Sequence, residues 1–173
     1  ISDDLYNRKG NGEELTAVNS MVWKDQQNQR RQITTLCIKV TIEYLPERHP
    51  ELELLSMIQK DQINFCRDLA LRFGGHFAGA LTDHLMFYFG YPEVSDNDAR
   101  LAARSALQIN SHIHKRSATL FEQNGIRLKS QISLHSGVVL CFPNRLPDGI
   151  VPNIAFELMR SGPQGEIIVS ESC

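Results

Sequence analysis

One aspartate stands out. Asp83 falls at the turn of a strongly patterned strand-turn-strand, GGHFAGALTDHLMFYF, where a carboxylate is the residue type that can hold a metal ion. Lys39 lies on an earlier alternating run, and an ammonium has three donors and no acceptor, so it can neutralise a carboxylate but cannot ligate a cation. Further along, Asn153 and Glu157 are four residues apart, and Arg160 follows Glu157 by about one helical turn. Other chemistry is poorly supported. His76, His84 and His135 are scattered with no HExxH pattern, while His112 and His114 are two apart and out of phase on a helix, so surface or capping roles are expected. Cys37, Cys66, Cys141 and Cys173 form no CxxC or CxxH pair and read as reduced, mostly buried thiols.

These residues depend on elements that the residue pattern predicts. Residues 33–42 read as a strand with Ile33, Thr35, Cys37, Lys39 and Thr41 on one face and Thr34, Leu36, Ile38, Val40 and Ile42 on the other, which leaves Lys39 on the more polar face. A helix starting near Pro50 runs to Phe73, with Leu55, Ile58, Phe65, Leu69 and Phe73 near its buried stripe, and Gly74-Gly75 stops it. Residues 76–89 form a hairpin with Thr82-Asp83 at its turn. Ser95 or Asp96 should cap a long helix in which Ala99, Ala102, Ala103 and Ala106 permit close packing. Asn124-Gly125 ends it, residues 126–142 supply more strand, a helix spans 152–160, and 166–170 form a last strand. That order, β-α-β-β-α-β followed by a helix and a strand, is an α+β pattern with helices expected on one face of a sheet. The aromatic run Phe87, Tyr88, Phe89 and Tyr91 reads as core and dimer packing, since no basic residues adjoin it as a base-stacking platform would need.

The bulk properties narrow the field. A chain of 173 residues suits one domain plus a short extension, and 42% hydrophobic with 22% charged residues is ordinary globular material. A net charge of −2 leaves no basic footprint for nucleic acid. No apolar run approaches the ~18 residues needed to span a bilayer, and no signal peptide is visible. The chain starts at Ile1 without a methionine and stops just after a strand, so it is expected to be a piece of something longer, trimmed at its C-terminal edge.

Three segments carry a resemblance. LTDHLMFYFGYP (81–92), SLHSGVVL (133–140) and PNIAFELMRSGPQGEIIVSE, in this order and spacing, make residues 30–171 similar to the class III adenylate/guanylate cyclase catalytic domain. The resemblance implies a ferredoxin-like βαββαβ core with helices packed on a mostly antiparallel sheet, in a domain covering 30–173. GGHF is also similar to the GGDEF signature of diguanylate cyclases, but it lacks the acidic pair. Before the domain, residues 1–29 form a polar leader with a short apolar stripe of Leu15, Val18 and Val22, beside Met21. Within it, GEELTAVNSMV resembles the end of a HAMP signalling linker.

Cyclases of this family move a 3′-hydroxyl onto an α-phosphorus with two metal ions held by carboxylates from the first strand and the hairpin. By that resemblance Asp83 fills the hairpin position, whereas Lys39 stands at the first-strand position. Gly79 and Ile150 stand where purine-reading polar residues belong, and neither side chain can make directional hydrogen bonds to a base. Asn153 keeps the ribose-orienting position, but Glu157 replaces the arginine that would stabilise the phosphate, putting a like charge beside it. A direct Lys39–Asp83 ion pair is the expected substitute for the metal.

The expectation is a catalytically inactive cyclase-homology domain with no cofactor, acting as a regulatory, dimerisation or interaction module of a larger signalling protein. It would form a homodimer or heterodimer through the cyclase-type face, engage a protein partner and no nucleic acid, and lie in the cytoplasm without itself entering the membrane, in a protein that a segment elsewhere could anchor. The alternative is a nucleotide sensor or an active cyclase with an unorthodox site built on Asp83, Asn153, Arg160 and Glu157. Magnesium with nucleotide is expected only in that case.

Overall fold

The first strand runs further than its alternation implied. In the computed structural model, which describes residues 29–81 and 83–173, β1 spans Gln29–Tyr44. Its polar start is held by backbone pairing: β4, Ile126–Cys141, lies antiparallel to it from Gln29↔Cys141 to Tyr44↔Ile126. The leader and its HAMP-like segment fall outside the described residues except at Gln29.

Between these strands, α1 is Leu52–Arg72, β2 is His76–Leu81, β3 is His84–Phe89 and α2 is Asp98–Asn124. After β4 come α3, Ile150–Ser161, and β5, Ile167–Val169. Helix α1 therefore begins two residues past Pro50, with extended Glu51 as its N-cap. Asn97, rather than Ser95 or Asp96, holds the N-cap of α2, because the Asp98 carboxylate in the first turn accepts a hydrogen bond from the Ser95 amide at 2.7 Å and draws the preceding loop onto the helix. At its other end Gly125 takes the left-handed conformation, φ 70°, that a C-cap requires. Helix α3 starts two residues before the expected Pro152.

The five strands lie in the order β2-β3-β1-β4-β5, with β1 antiparallel to β3 and β4, β2 antiparallel to β3, and β5 parallel to β4. Such a sheet is α+β, mostly antiparallel, with the βαββαβ order expected. Helices α1 and α2 cover one face, where Leu36, Ile38, Phe87, Phe89, Ile132 and Leu134 meet Ile58, Cys66, Ile109 and Ile113. Ala102 and Ala106, both fully buried, let α2 approach closely.

The expectation of helices on one face needs correction, because α3 lies on the other. There Val151 packs with Ile33, Tyr88 and Val139, while Ala155 and Met159 pack with Cys37. Gly137 makes this possible, since a Cβ at that position would come within 2.7 Å of Val151 Cγ2. The Ser133 hydroxyl, also on this face, donates to the Ala155 carbonyl at 2.5 Å. Thus the face of β1 that carries Lys39 is covered at Ile33 and Cys37 and opens only near Lys39.

Burial also sets the thiol chemistry. Cys37, Cys66 and Cys141 are buried and free, and Cys173 is exposed. Loss of solvation pushes the Cys37 and Cys66 thiols up to about 12, against a weaker opposing hydrogen bond from Ser133 at Cys37 and from the backbone at Cys66. At pH 8 only about one in ten thousand of either is the reactive thiolate. Iodoacetamide applied to the folded protein is therefore expected to label Cys173 first and to leave Cys37 and Cys66 unmodified until denaturant is added, as peptide mass spectrometry would report. Among the described residues, no helix is long and apolar enough to cross a membrane.

Candidate functional site

Strand register brings Lys39 to Asp83. Lys39 is the last β1 residue paired with β3, opposite His84, so the turn holding Asp83 lies directly beside it. Lys39 Nζ is 3.7 Å from Asp83 Oδ2, and His84 Nδ1 is 2.8 Å from Asp83 Oδ1. The first is a charge contact longer than a good hydrogen bond, and the second has hydrogen-bond length. Because an ionised carboxylate only accepts, Nδ1 is the histidine nitrogen that carries the proton in this contact. With side-chain exposures of 28% for Lys39 and 30% for Asp83, the pair is only partly screened from water.

His84 is the residue that sequence reading missed. Its ring centroid lies 5.3 Å from that of Phe156, which links the hairpin turn to α3. Its placement immediately after the turn aspartate was the available signal. Four of the five other histidines have contacts elsewhere: His76 packs edge-on to Tyr91, His112 stacks on Phe65, His114 Nε2 meets the Gly165 carbonyl at 3.2 Å, and His135 Nδ1 meets Ser170 Oγ at 2.8 Å.

Two concavities flank α3. A depression of about 340 Å³ over the hairpin is lined by Cys37, Ala78, Gly79, Ala80, His84, Leu85, Met86, Asn153 and Phe156, which brings Gly79 and Asn153 to one place. A second, of about 500 Å³, runs along the exposed side of α3 and is lined by Gly149, Ile150, Asn153, Ile154, Glu157, Leu158 and Ser161. Asn153 borders both. Ile150 is 72% exposed at the start of the helix, so its apolar side chain faces outward.

Glu157 and Arg160 are paired to each other, with Arg160 Nε and Nη2 donating to Glu157 Oε2 at 3.2 and 2.9 Å. The Arg160 guanidinium, one turn beyond Glu157, is held by the carboxylate beside it. Among the described residues, no three His, Cys, Asp or Glu side chains are grouped to hold a metal ion. The one carboxylate at the hairpin turn has a cation on one oxygen and an imidazole on the other.

No family model matches the sequence, and no curated protein matches it. Solved structures do share its fold. The monomeric guanylyl cyclase domain of the RhoGC fusion protein from the aquatic fungus Blastocladiella emersonii superposes with a TM-score of 0.67 at 19% identity, over 84% of this chain and 85% of that one. The adenylyl cyclase CyaB from P. aeruginosa gives 0.65 at 22% identity, over 84% and 79% of the two chains. A non-canonical dimeric guanylyl cyclase domain of the same fungal fusion protein gives 0.65 at 19% identity, over 83% and 82%. The chain therefore has the α+β fold of adenylyl and guanylyl cyclase catalytic domains.

Proposed function

We propose that this chain is a catalytically inactive cyclase-like domain that works as a regulatory, dimerisation or interaction module of a larger signalling protein. The observation that carries this reading is the environment of Asp83, whose carboxylate faces Lys39 and His84 where a metal site would need a second carboxylate. A pair of divalent ions does not fit these residues, because an ammonium beside the first ligand repels a cation and offers it no lone pair. Glu157 adds a carboxylate, paired with Arg160, on the side from which a polyphosphate would need positive charge. Gly79 and Ile150 offer no side-chain donor or acceptor to a base. Lys39, Gly79, Asp83, Ile150, Asn153 and Glu157 are thus read as vestigial or substituted cyclase positions.

A fold can lose its chemistry and keep its packing surfaces. Ile150, Ile154 and Leu158 give the outer side of α3 an apolar character suited to a protein partner or a second copy. The solved structures that share this fold include a non-canonical dimeric domain as well as a monomeric one, which is consistent with dimerisation and leaves the cyclase-type face as part of the proposal. Placement on the cytoplasmic side of a membrane-anchored protein belongs to the same proposal.

Calorimetric titration with ATP and with GTP, each with and without Mg²⁺ or Mn²⁺, tests the reading. No metal-dependent heat is expected for either nucleotide. Saturable binding that requires the metal would point instead to the sensor or active cyclase.

A further inference from the structure

We propose that the leader of this same chain covers a bare apolar strip where β1 begins and β4 ends, with Val18, Val22 and Trp23 lying over Val138 and Leu140. The strip is remote in register from the hairpin turn, and the contact holds whether or not the site at Asp83 has lost its chemistry.

The strip is a consequence of strand register. β3 pairs with β1 only from Thr34 onward, and β5 pairs with β4 only over residues 132–134. Among the described residues, 29–33 of β1 therefore pair with 137–141 of β4 alone, as a two-stranded ribbon, a form that is marginal in water unless something packs on it. One face of the ribbon is packed, since Ile33, Val139 and Cys141 meet Val151, Tyr88 and Tyr91. Alternation puts Arg30, Gln32, Val138 and Leu140 on the other. This second face continues the one that α1 and α2 cover, but the core there stops at the Thr34–Ser136 hydroxyl pair, 2.7 Å apart. Beyond that rung Val138 is 59% and Leu140 47% exposed, two residues apart on one strand.

The chain itself supplies an occupant of the right length and character. The leader enters the domain at Gln29, opposite Cys141 and next to the Arg30–Leu140 pair. From Gln29 to Gln32, the partner of Val138, is three residues of strand, roughly 10 Å, and the five polar residues 24–28 can span up to roughly 17 Å, enough to turn the chain back over the strip. Directly before them stand Leu15, Val18 and Val22, at the spacing of one helical face, with Trp23 at its border. Charge agrees with this pairing. Five acids against three bases give residues 1–28 a net charge of −2, with Glu13 and Glu14 just ahead of the apolar stripe, and Arg30 is exposed beside Leu140. The leader then acts as a strap across the two longest strands of the sheet.

Trp23 is the only tryptophan of the chain, so its selectively excited fluorescence reports this contact in the full-length protein. Its emission is expected to lie to the blue of the urea-unfolded chain, with acrylamide quenching several-fold weaker. Val138→Lys combined with Leu140→Lys, at exposed positions whose backbone pairing is kept, should move the emission to the red and raise quenching to the unfolded level, with thermal melting as the check on folding. Val18→Asp tests the same contact from the leader without altering the sheet, and the same loss of protection is expected. Native emission and quenching equal to those of the unfolded chain would overturn the proposal. Protection that survives both variants in folded protein would overturn it too, by placing Trp23 on another surface. Protection that fades on dilution would assign the strip to a second copy and rule out the contact within one chain. None of these outcomes bears on nucleotide or metal at the hairpin, so this inference and the proposed function fail separately.

Discussion

Phe87→Ala is expected to lower the free energy of unfolding by about 3–5 kcal/mol, the range for truncating a large buried aromatic. Phe87 has no exposed surface and sits in the middle of β3, between Leu36 of β1 and Phe77 of β2 in register. Its ring centroid is 5.5 Å from that of Phe77, in a cluster that includes the helix residues Ile58, Ile109 and Ile113. Strands on both sides fix the backbone, so the site cannot collapse to fill the void, and the cost should reach the upper part of the range. Urea unfolding of the two proteins checks this. A loss below about 1 kcal/mol would mean that the side chain is not in a packed interior.

Lys39→Asp is expected to create a response to divalent metal that the native protein lacks. The substitution replaces the ammonium beside Asp83 with a second carboxylate, and two carboxylates at this range repel until a cation joins them. In chelator the variant should melt below the native protein. Added Mn²⁺ should restore it, by about 2.7 kcal/mol when the free ion reaches a hundred times its dissociation constant. Lys39→Met controls for simple loss of the lysine and should show no such rescue. Equal stabilisation of the native chain by Mn²⁺ would show that Lys39 does not exclude the metal.

Much of the fold was legible because the residue periods were clean. The alternation from Ile33 to Ile42 marks a strand, and the Thr82-Asp83 break inside residues 76–89 marks a hairpin. Gln29, Arg30, Arg31 and Gln32 carry no strand pattern, since their pairing with Val138 to Cys141 is a backbone property with no apolar signature. The position of α3 was hidden for a different reason. Ile33 and Cys37 on one face of β1 are as apolar as Leu36 and Ile38 on the other, but a strand does not report which helix covers which face.

At the site, residue types were readable and their partners were not. Lys39 opposite the hairpin turn follows from a register that becomes definite only once β1 and β3 are paired. The contact of His84 with Asp83 depends on a side-chain rotation at the turn, and the closure of Arg160 onto Glu157 depends on a choice among rotamers of two exposed residues.

The measurement that bears most directly on the central claim is formation of cyclic AMP and cyclic GMP by the purified chain, at high concentration, with ATP or GTP and either Mg²⁺ or Mn²⁺. No product above the protein-free control is predicted, with either metal and either nucleotide. Metal-dependent turnover that disappears on Asp83→Ala would contradict the account, because it would place a working metal site where Lys39 and His84 now hold the carboxylate.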